Sequence, residues 1–175
     1  MSLLHPSNKE EFEKYILDVE NFPKENVVFK DISPLLANKF TEVVTAFSQA
    51  PIDWSGVEHI IGIESRGFIL GSALAIHLNK GFIPIRKKGK LPPPVYSQSY
   101  QLEYGEDILE MKEISSPSSV VLVDDVLATG GTIQAAAKLC ERNNFSIKAK
   151  LFLINLTFLN QLKESNPLIH SLIEY

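Results

Sequence analysis

The chain has 175 residues, enough for one domain with a sizeable core and short for two. At 45% hydrophobic and 22% charged residues, with 9 Gly and 10 Pro, it falls outside the disordered, collagenous and coiled-coil classes. Lys and Arg number 17 against 21 Asp and Glu, a net −4 that disfavours a dedicated nucleic-acid binder, and the one cysteine, Cys140, can form neither an internal disulfide nor a thiolate metal site.

The N-terminus, Met1-Ser-Leu-Leu-His-Pro, has neither the basic nor the apolar region of a leader, and the apolar-rich stretch 68–79 is too short to span a bilayer. With the cysteine usage, this points to a soluble cytoplasmic protein without membrane contacts. Ser7 and Glu10 form a capping box ahead of Phe12, Tyr15, Ile16 and Val19, spacing that predicts an amphipathic helix ending near Asn21. Ser33-Pro34 can open a second helix, whose stripe Phe40, Val43, Val44 and Phe47 runs to about Ala50. Residues 57–63 read as a buried strand, 68–78 as a buried helix, and 81–86 as a strand that Pro84 places near an edge or makes irregular. Residues 88–102, with Pro92-Pro93-Pro94, show no apolar periodicity and are expected to be a binding or lid loop.

A strand is expected over 107–111. Val120-Val-Leu-Val123 is the kind of continuous apolar run that a parallel sheet buries on both faces. Asp124-Asp125 and 128–132 then read as a turn, 133–143 as a helix, and 147–156 as a further strand. Strands alternating with helices predict an α/β fold, a mostly parallel central sheet flanked by helices. No repeat or linker divides the chain, so residues 1–175 are expected to form a single domain.

Two features carry chemistry. From Ser65 to Leu102 the chain has no acid but holds Arg66, Lys80, Arg86, Lys87, Lys88 and Lys90, a local +6 in a chain whose remainder sums to −10. A basic block in an acidic chain is a candidate anion site, because local potential decides where a phosphate binds. The second is VVLV-DD-VLATGGT. Carboxylates at the end of a buried strand can accept from sugar hydroxyls or, through water, hold a metal. A loop of small residues opening a helix, Ala128, Thr129, Gly130, Gly131 and Thr132, can wrap its N–H groups around a phosphate. Together they form a candidate ribose-phosphate cradle. No P-loop, nucleophile elbow, GxGxxG or HExxH is present, and the four histidines are scattered.

Residues 120–132 resemble the phosphoribosyl-pyrophosphate motif of type I phosphoribosyltransferases. Residues 22–35 (FPKENVVFKDISPL), 62–68 (GIESRGF), 86–92 (RKKGKLP) and 102–105 (LEYG) extend the resemblance over nearly the whole chain and narrow it to the adenine phosphoribosyltransferase family. The resemblance implies the type I fold with a small N-terminal hood (about 1–35) and a flexible lid (about 88–105). It implies transfer of phosphoribose to N9 of adenine, with Mg²⁺, in a homodimer. By the same resemblance Arg66, Arg86, Lys87 and Lys90 bind pyrophosphate, some of them across a dimer interface. Asp124 and Asp125 hold the ribose hydroxyls directly and Mg²⁺ mostly through water, and 128–132 hold the 5′-phosphate. Phe29 stacks on the base, the backbones of Val28 and Lys30 read its edge, Glu103 exchanges the purine proton and Tyr104 packs the lid. The chain departs from the family at Lys30, where Arg is usual, at Asn26, where Gly is common and Asn tolerates positive φ, and in its triple proline. The alternatives are a hypoxanthine or guanine enzyme and a non-catalytic sensor of phosphoribosyl pyrophosphate.

Overall fold

A seven-stranded sheet organises the molecule, and the route of the chain through it decides where a ligand can sit. The computed structural model describes residues 6–102 and 105–175. Its elements are α1 (Pro6–Glu13), β1 (Leu17–Glu20), β2 (Val28–Asp31), α2 (Ser33–Ser48), a 3₁₀ turn (Trp54–Gly56), β3 (His59–Ile63), α3 (Arg66–His77), β4 (Gly81–Lys87), β5 (Val95–Leu102), β6 (Gly105–Lys112), β7 (Ser119–Leu127), α4 (Gly131–Arg142), β8 (Ser146–Asn155), α5 (Leu162–Ser165) and β9 (Ile169–Glu174). Five strands, in spatial order β4-β3-β7-β8-β9, are parallel; β6 and then β5 continue the sheet beyond β4 as an antiparallel hairpin. β1 and β2 form a separate antiparallel ribbon. Among the described residues no helix is long and apolar enough to cross a membrane.

The central strand shows why the apolar run does not alternate. Val121 and Val123 pack with Val43 and Phe47 of α2 and Leu70 and Leu74 of α3, whereas Val120 and Leu122 pack with Ile133, Ala136 and Leu139 of α4. All four β7 side chains are 0% exposed, so each face of the strand is covered by helix. Each such burial contributes on the order of 2 kcal/mol before chain entropy is counted. Two glycines let α3 settle close to the sheet. A Cβ on Gly62 would stand 2.8 Å from the Gly67 carbonyl, and one on Gly67 would stand 2.7 Å from the Val123 carbonyl and 3.2 Å from Asp124 Cα.

The α/β class and the order of the central elements agree with the sequence, but three local expectations are corrected. The first helix stops at Glu13, and residues 17–20 are strand. Pairing of β1 with β2, from Leu17↔Asp31 to Glu20↔Val28, overrides the local helical stripe. The segment read as a loop over 88–102 contains β5, matched residue by residue to β6 from Val95↔Lys112 to Leu102↔Gly105. Tyr96 and Tyr100 on β5 pack against the α4 side of the core, while Ser97 and Ser99 between them are exposed. β7 continues through Asp124 and Asp125 to Leu127, because β8 pairs with it as far as Leu127↔Asn155. α5 and β9, which periodicity did not reveal, complete the far edge. Pro84 lies where β4 has β3 on one flank and no partner on the other, since β6 joins only at Arg86 and Lys87.

Gly67→Ala should lower stability by about 2 kcal/mol, because the nearest obstacle, the Val123 carbonyl, is backbone; equilibrium denaturation gives the shift, and an unchanged midpoint would refute the close-packing account. Burial pushes the Cys140 thiol up to about 12. At pH 8 iodoacetamide should therefore leave the folded protein unlabelled and alkylate it at the rate of unfolding.

Candidate active site

From β3 the chain winds outward to β4, and from the neighbouring β7 it winds outward in the opposite direction to β8. The carboxyl ends of β3 and β7 therefore diverge, which is the switch point where α/β sheets bind ligands. A cleft of about 800 Å³ opens there, walled by the β1–β2 turn and β2, the 64–66 turn, residues 124–133, and the chain from Phe152 to Leu159.

β3 delivers Glu64-Ser65-Arg66 to one side of the crevice, and α3 starts at Arg66. The guanidinium of Arg66 reaches three groups. Its Nη2 lies 2.6 Å from Asp125 Oδ2, its Nη1 donates to the Lys30 carbonyl at 3.2 Å, and its Cζ stands 4.6 Å from the centre of the Phe29 ring. Phe22 packs edge-on against the same ring at 5.2 Å. β7 delivers the acidic pair. Asp124 is 9% and Asp125 6% exposed, and the Asp125 N–H donates to Asp124 Oδ1 at 2.9 Å. Burial, and then the adjacent charge of Asp125, push the Asp124 carboxyl well above the usual carboxylate range. Apart from its ion pair, Asp125 Oδ2 accepts no hydrogen bond among the described residues.

Beyond Leu127 the chain turns through Ala128, Thr129 and Gly130 into α4. Gly130 has φ +90, open to glycine, and the Leu162 side chain fills the space where its Cβ would lie. Thr129 is exposed to the cleft. The first turns of α3 and α4 thus both border the crevice with free N–H groups and positive dipole ends. The β5–β6 hairpin comes down on this second turn: a Cβ on Gly131 would stand 2.9 Å from the Gln101 carbonyl and 3.4 Å from the Tyr100 ring. Glu103 and Tyr104 lie outside the described residues.

Most of the sequence-derived site residues meet in this cleft: Val28, Phe29, Lys30, Arg66, Lys87, Asp124, Asp125, Ala128, Thr129, Gly130 and Thr132. Two basic residues do not line it. Arg86 donates through Nε and Nη2 to the Glu64 carboxylate at 3.3 and 3.2 Å and through Nη1 to the Lys90 carbonyl at 3.3 Å, and Lys90 is exposed beside it. Burial alone would raise the Glu64 carboxyl, but the Lys87 N–H at 2.8 Å and Arg86 outweigh it and hold the group below its ordinary value. The Lys87 ammonium is 3.1 Å from Asp107. Lys30 turns its side chain away, onto Asp18 at 2.7 Å and over the Tyr175 ring at 3.9 Å, and presents its carbonyl to Arg66. The turn at Asn26 has φ 65, the conformation expected of that position.

Sequence reasoning missed Glu64, Tyr100, Phe158 and Leu159, all of which line the cleft. The last two directly follow a parallel strand, and that position was signal enough. Tyr100 donates its hydroxyl to Asp107 at 3.4 Å.

The acidic pair can accept hydroxyl hydrogens, and the helix starts can hold anions. Residues 27–153 match the family model described as "Phosphoribosyl transferase domain". An adenine phosphoribosyltransferase of Bdellovibrio bacteriovorus is 46% identical over 163 residues, which cover 91% of this chain and 96% of that one. The crystal structure of adenine phosphoribosyltransferase from Rhodothermus marinus superposes with TM-score 0.89 at 39% identity, covering 98% of this chain and 100% of its own. That from Saccharomyces cerevisiae, solved with an imino-altritol bisphosphate and adenine, gives TM-score 0.85 at 33% identity over 96% of this chain and 99% of the other. The chain therefore belongs to the phosphoribosyltransferase family, among the adenine phosphoribosyltransferases.

Proposed function

We propose that the chain transfers the 5-phosphoribosyl group of phosphoribosyl pyrophosphate to N9 of adenine, forming AMP and pyrophosphate. The observation that carries this reading is the meeting, in one cleft, of a buried Asp-Asp pair, two helix starts, the Arg66 guanidinium and an aromatic ring. A phosphorylated sugar, a second anion and a flat base each find a matching surface there.

The N–H groups of residues 129–132, with the start of α4, hold the 5′-phosphate. Asp124 and Asp125 accept from the ribose hydroxyls. Pyrophosphate rests on the 65–66 turn, with Arg66 and Lys87 supplying positive charge. Adenine stacks on Phe29 while the backbones of Val28 and Lys30 read its edge. As the bond from C1′ to the pyrophosphate oxygen breaks and the N9–C1′ bond forms, the electron pair leaves with pyrophosphate, and the fixed cationic groups stabilise it. Glu103 takes the N9 proton, and Tyr104 packs the lid. In the free protein Arg66 and Asp125 neutralise each other; pyrophosphate and the ribose hydroxyls give each a new partner. Arg86 acts one step back, ordering Glu64 and so the turn that presents Arg66.

The donor set suits Mg²⁺. Asp125 Oδ2 is a hard carboxylate oxygen whose one partner among the described residues is the Arg66 guanidinium, which pyrophosphate would draw away. Asp124 and Asp125 would hold the ion mostly through water; when bound, it supplies charge neutralisation to the pyrophosphate oxygens. Residues 1–35 act as the hood and 88–105 as the lid of one domain. A homodimer fits the exposed Ile69 and Ile76 on α3, at 45% and 82%, and the single cysteine fits a reducing cytoplasm.

The test is pyrophosphate release from phosphoribosyl pyrophosphate and Mg²⁺ with adenine, hypoxanthine or guanine supplied singly. Release with adenine alone is expected; release with hypoxanthine or guanine but not adenine would reverse the base assignment, and silence with all three would favour a sensor. Asp125→Asn should raise KM for phosphoribosyl pyrophosphate about tenfold or more, and an unaltered KM would remove Asp125 from ribose binding. Glu103→Gln should lower kcat about a hundredfold with little change in that KM, as expected for loss of a proton-transfer group. If chemistry, followed in a single turnover, keeps its wild-type rate, Glu103 has no part in it.

A further inference from the structure

The 156–162 segment braces the outside of the turn that opens α4. Asn160, half-buried between β8 and α5, points its side-chain amide inward. Its Nδ2 donates to the Ala128 carbonyl at 2.6 Å, with the Leu156 carbonyl and Asn155 Oδ1 each at 3.1 Å. Its Oδ1 accepts the Leu162 N–H at 3.1 Å, and Leu162 packs into the space beside Gly130 that a Cβ would take. One side chain therefore ties together the carbonyl two residues ahead of Gly130 and the residue that packs on Gly130. The neighbouring Leu127 carbonyl is held mainly by the Leu156 N–H at 2.9 Å, with Asn160 Nδ2 more distant at 3.5 Å.

A planar trans peptide points its C=O and N–H in opposite directions. The Ala128–Thr129 peptide is not among the cis bonds of the chain, so fixing the Ala128 carbonyl outward, toward Asn160, aims the Thr129 N–H the other way, toward the side on which Thr129 borders the cleft. An anion-binding N–H is worth most when it needs no reorientation on binding.

We propose that Asn160 is a positioning residue that pre-orients the Thr129 N–H for the 5′-phosphate; this rests on the reading of residues 129–132 as the phosphate site. Asn160→Ala removes the tie. Asn160→Asp keeps the shape but turns an acceptor toward the Ala128 and Leu156 carbonyls, so it should be the more damaging.

Binding of AMP and of adenosine, which differ in the 5′-phosphate alone, separates this role from general loosening. Titration calorimetry should show AMP weakened about tenfold by Asn160→Ala and further by Asn160→Asp, with adenosine within about twofold of wild type. Thr157→Val serves as a control, since Thr157 Oγ1 donates to the Tyr175 carbonyl at 2.6 Å in the same segment without touching the phosphate turn, and its AMP-to-adenosine ratio should stay at the wild-type value. Melting curves establish folding, and Asn160→Ser replaces Asn160→Ala if the latter does not fold. A wild-type ratio in the Asn160 variants, an equal loss of both ligands, or the same ratio change in Thr157→Val would overturn the proposal while leaving the phosphate reading intact. A wild-type protein that binds AMP no better than adenosine would overturn both.

Discussion

Two carboxylates in succession at the end of a buried parallel strand are a demand that the surrounding structure has to meet. Neither Asp124 nor Asp125 is more than 9% exposed, and a buried charge is tolerated when paired, hydrogen-bonded or kept neutral. The chain uses all three means. Asp125 takes the Arg66 guanidinium, Asp124 accepts the next backbone N–H, and burial, with the adjacent charge of Asp125, pushes the Asp124 carboxyl well above its ordinary range. Arg66 can reach Asp125 because Gly67 lets α3 lie against the Val123–Asp124 backbone. The arginine in turn fixes the Lys30 carbonyl and covers Phe29, so the ribbon of β1 and β2 is aligned by a contact that begins at the acidic pair.

Positive charge is distributed more selectively than the sequence suggests. The acid-free stretch concentrates six cations, yet the fold returns acids to several of them from outside that stretch: Glu64 to Arg86, Asp107 to Lys87, Asp125 to Arg66. Local charge located the region, and the fold decided which groups face the cleft: Arg66 and Lys87 line it, and Arg86 and Lys90 do not. Pairing depends on strands that are remote in sequence, so it could not be read from a run of lysines.

The core strands and their helices were legible because burial on both faces leaves an unmistakable apolar run at 120–123 and a helical stripe at 133–140. Residues 17–20 and 95–102 were misread for the opposite reason. Leu17 and Val19 are 50% and 38% exposed, so their strand is defined by its hydrogen-bonded partner and leaves little imprint in hydrophobicity. β5 does place Tyr96 and Tyr100 on one face and Ser97 and Ser99 on the other, but with so few apolar residues that its pattern emerges once β6 is beside it. The site itself was legible in outline through the motif at 120–132 and the position of Arg66. What sequence could not supply was side-chain direction: Arg86 occupies the expected place and turns onto Glu64.

The way the ribbon is tied down has a consequence for how the protein comes into being. Lys30 lies over the Tyr175 ring, and Lys9 donates to the Glu174 carbonyl, 165 residues away along the chain. Contacts this remote are closed against a large loop entropy and form late. Folding can therefore bring the central strands and Arg66 together first, and the Tyr175 contact then completes the ribbon's support. The ribbon that carries Phe29 is thus fully fixed once the β9 edge is in place.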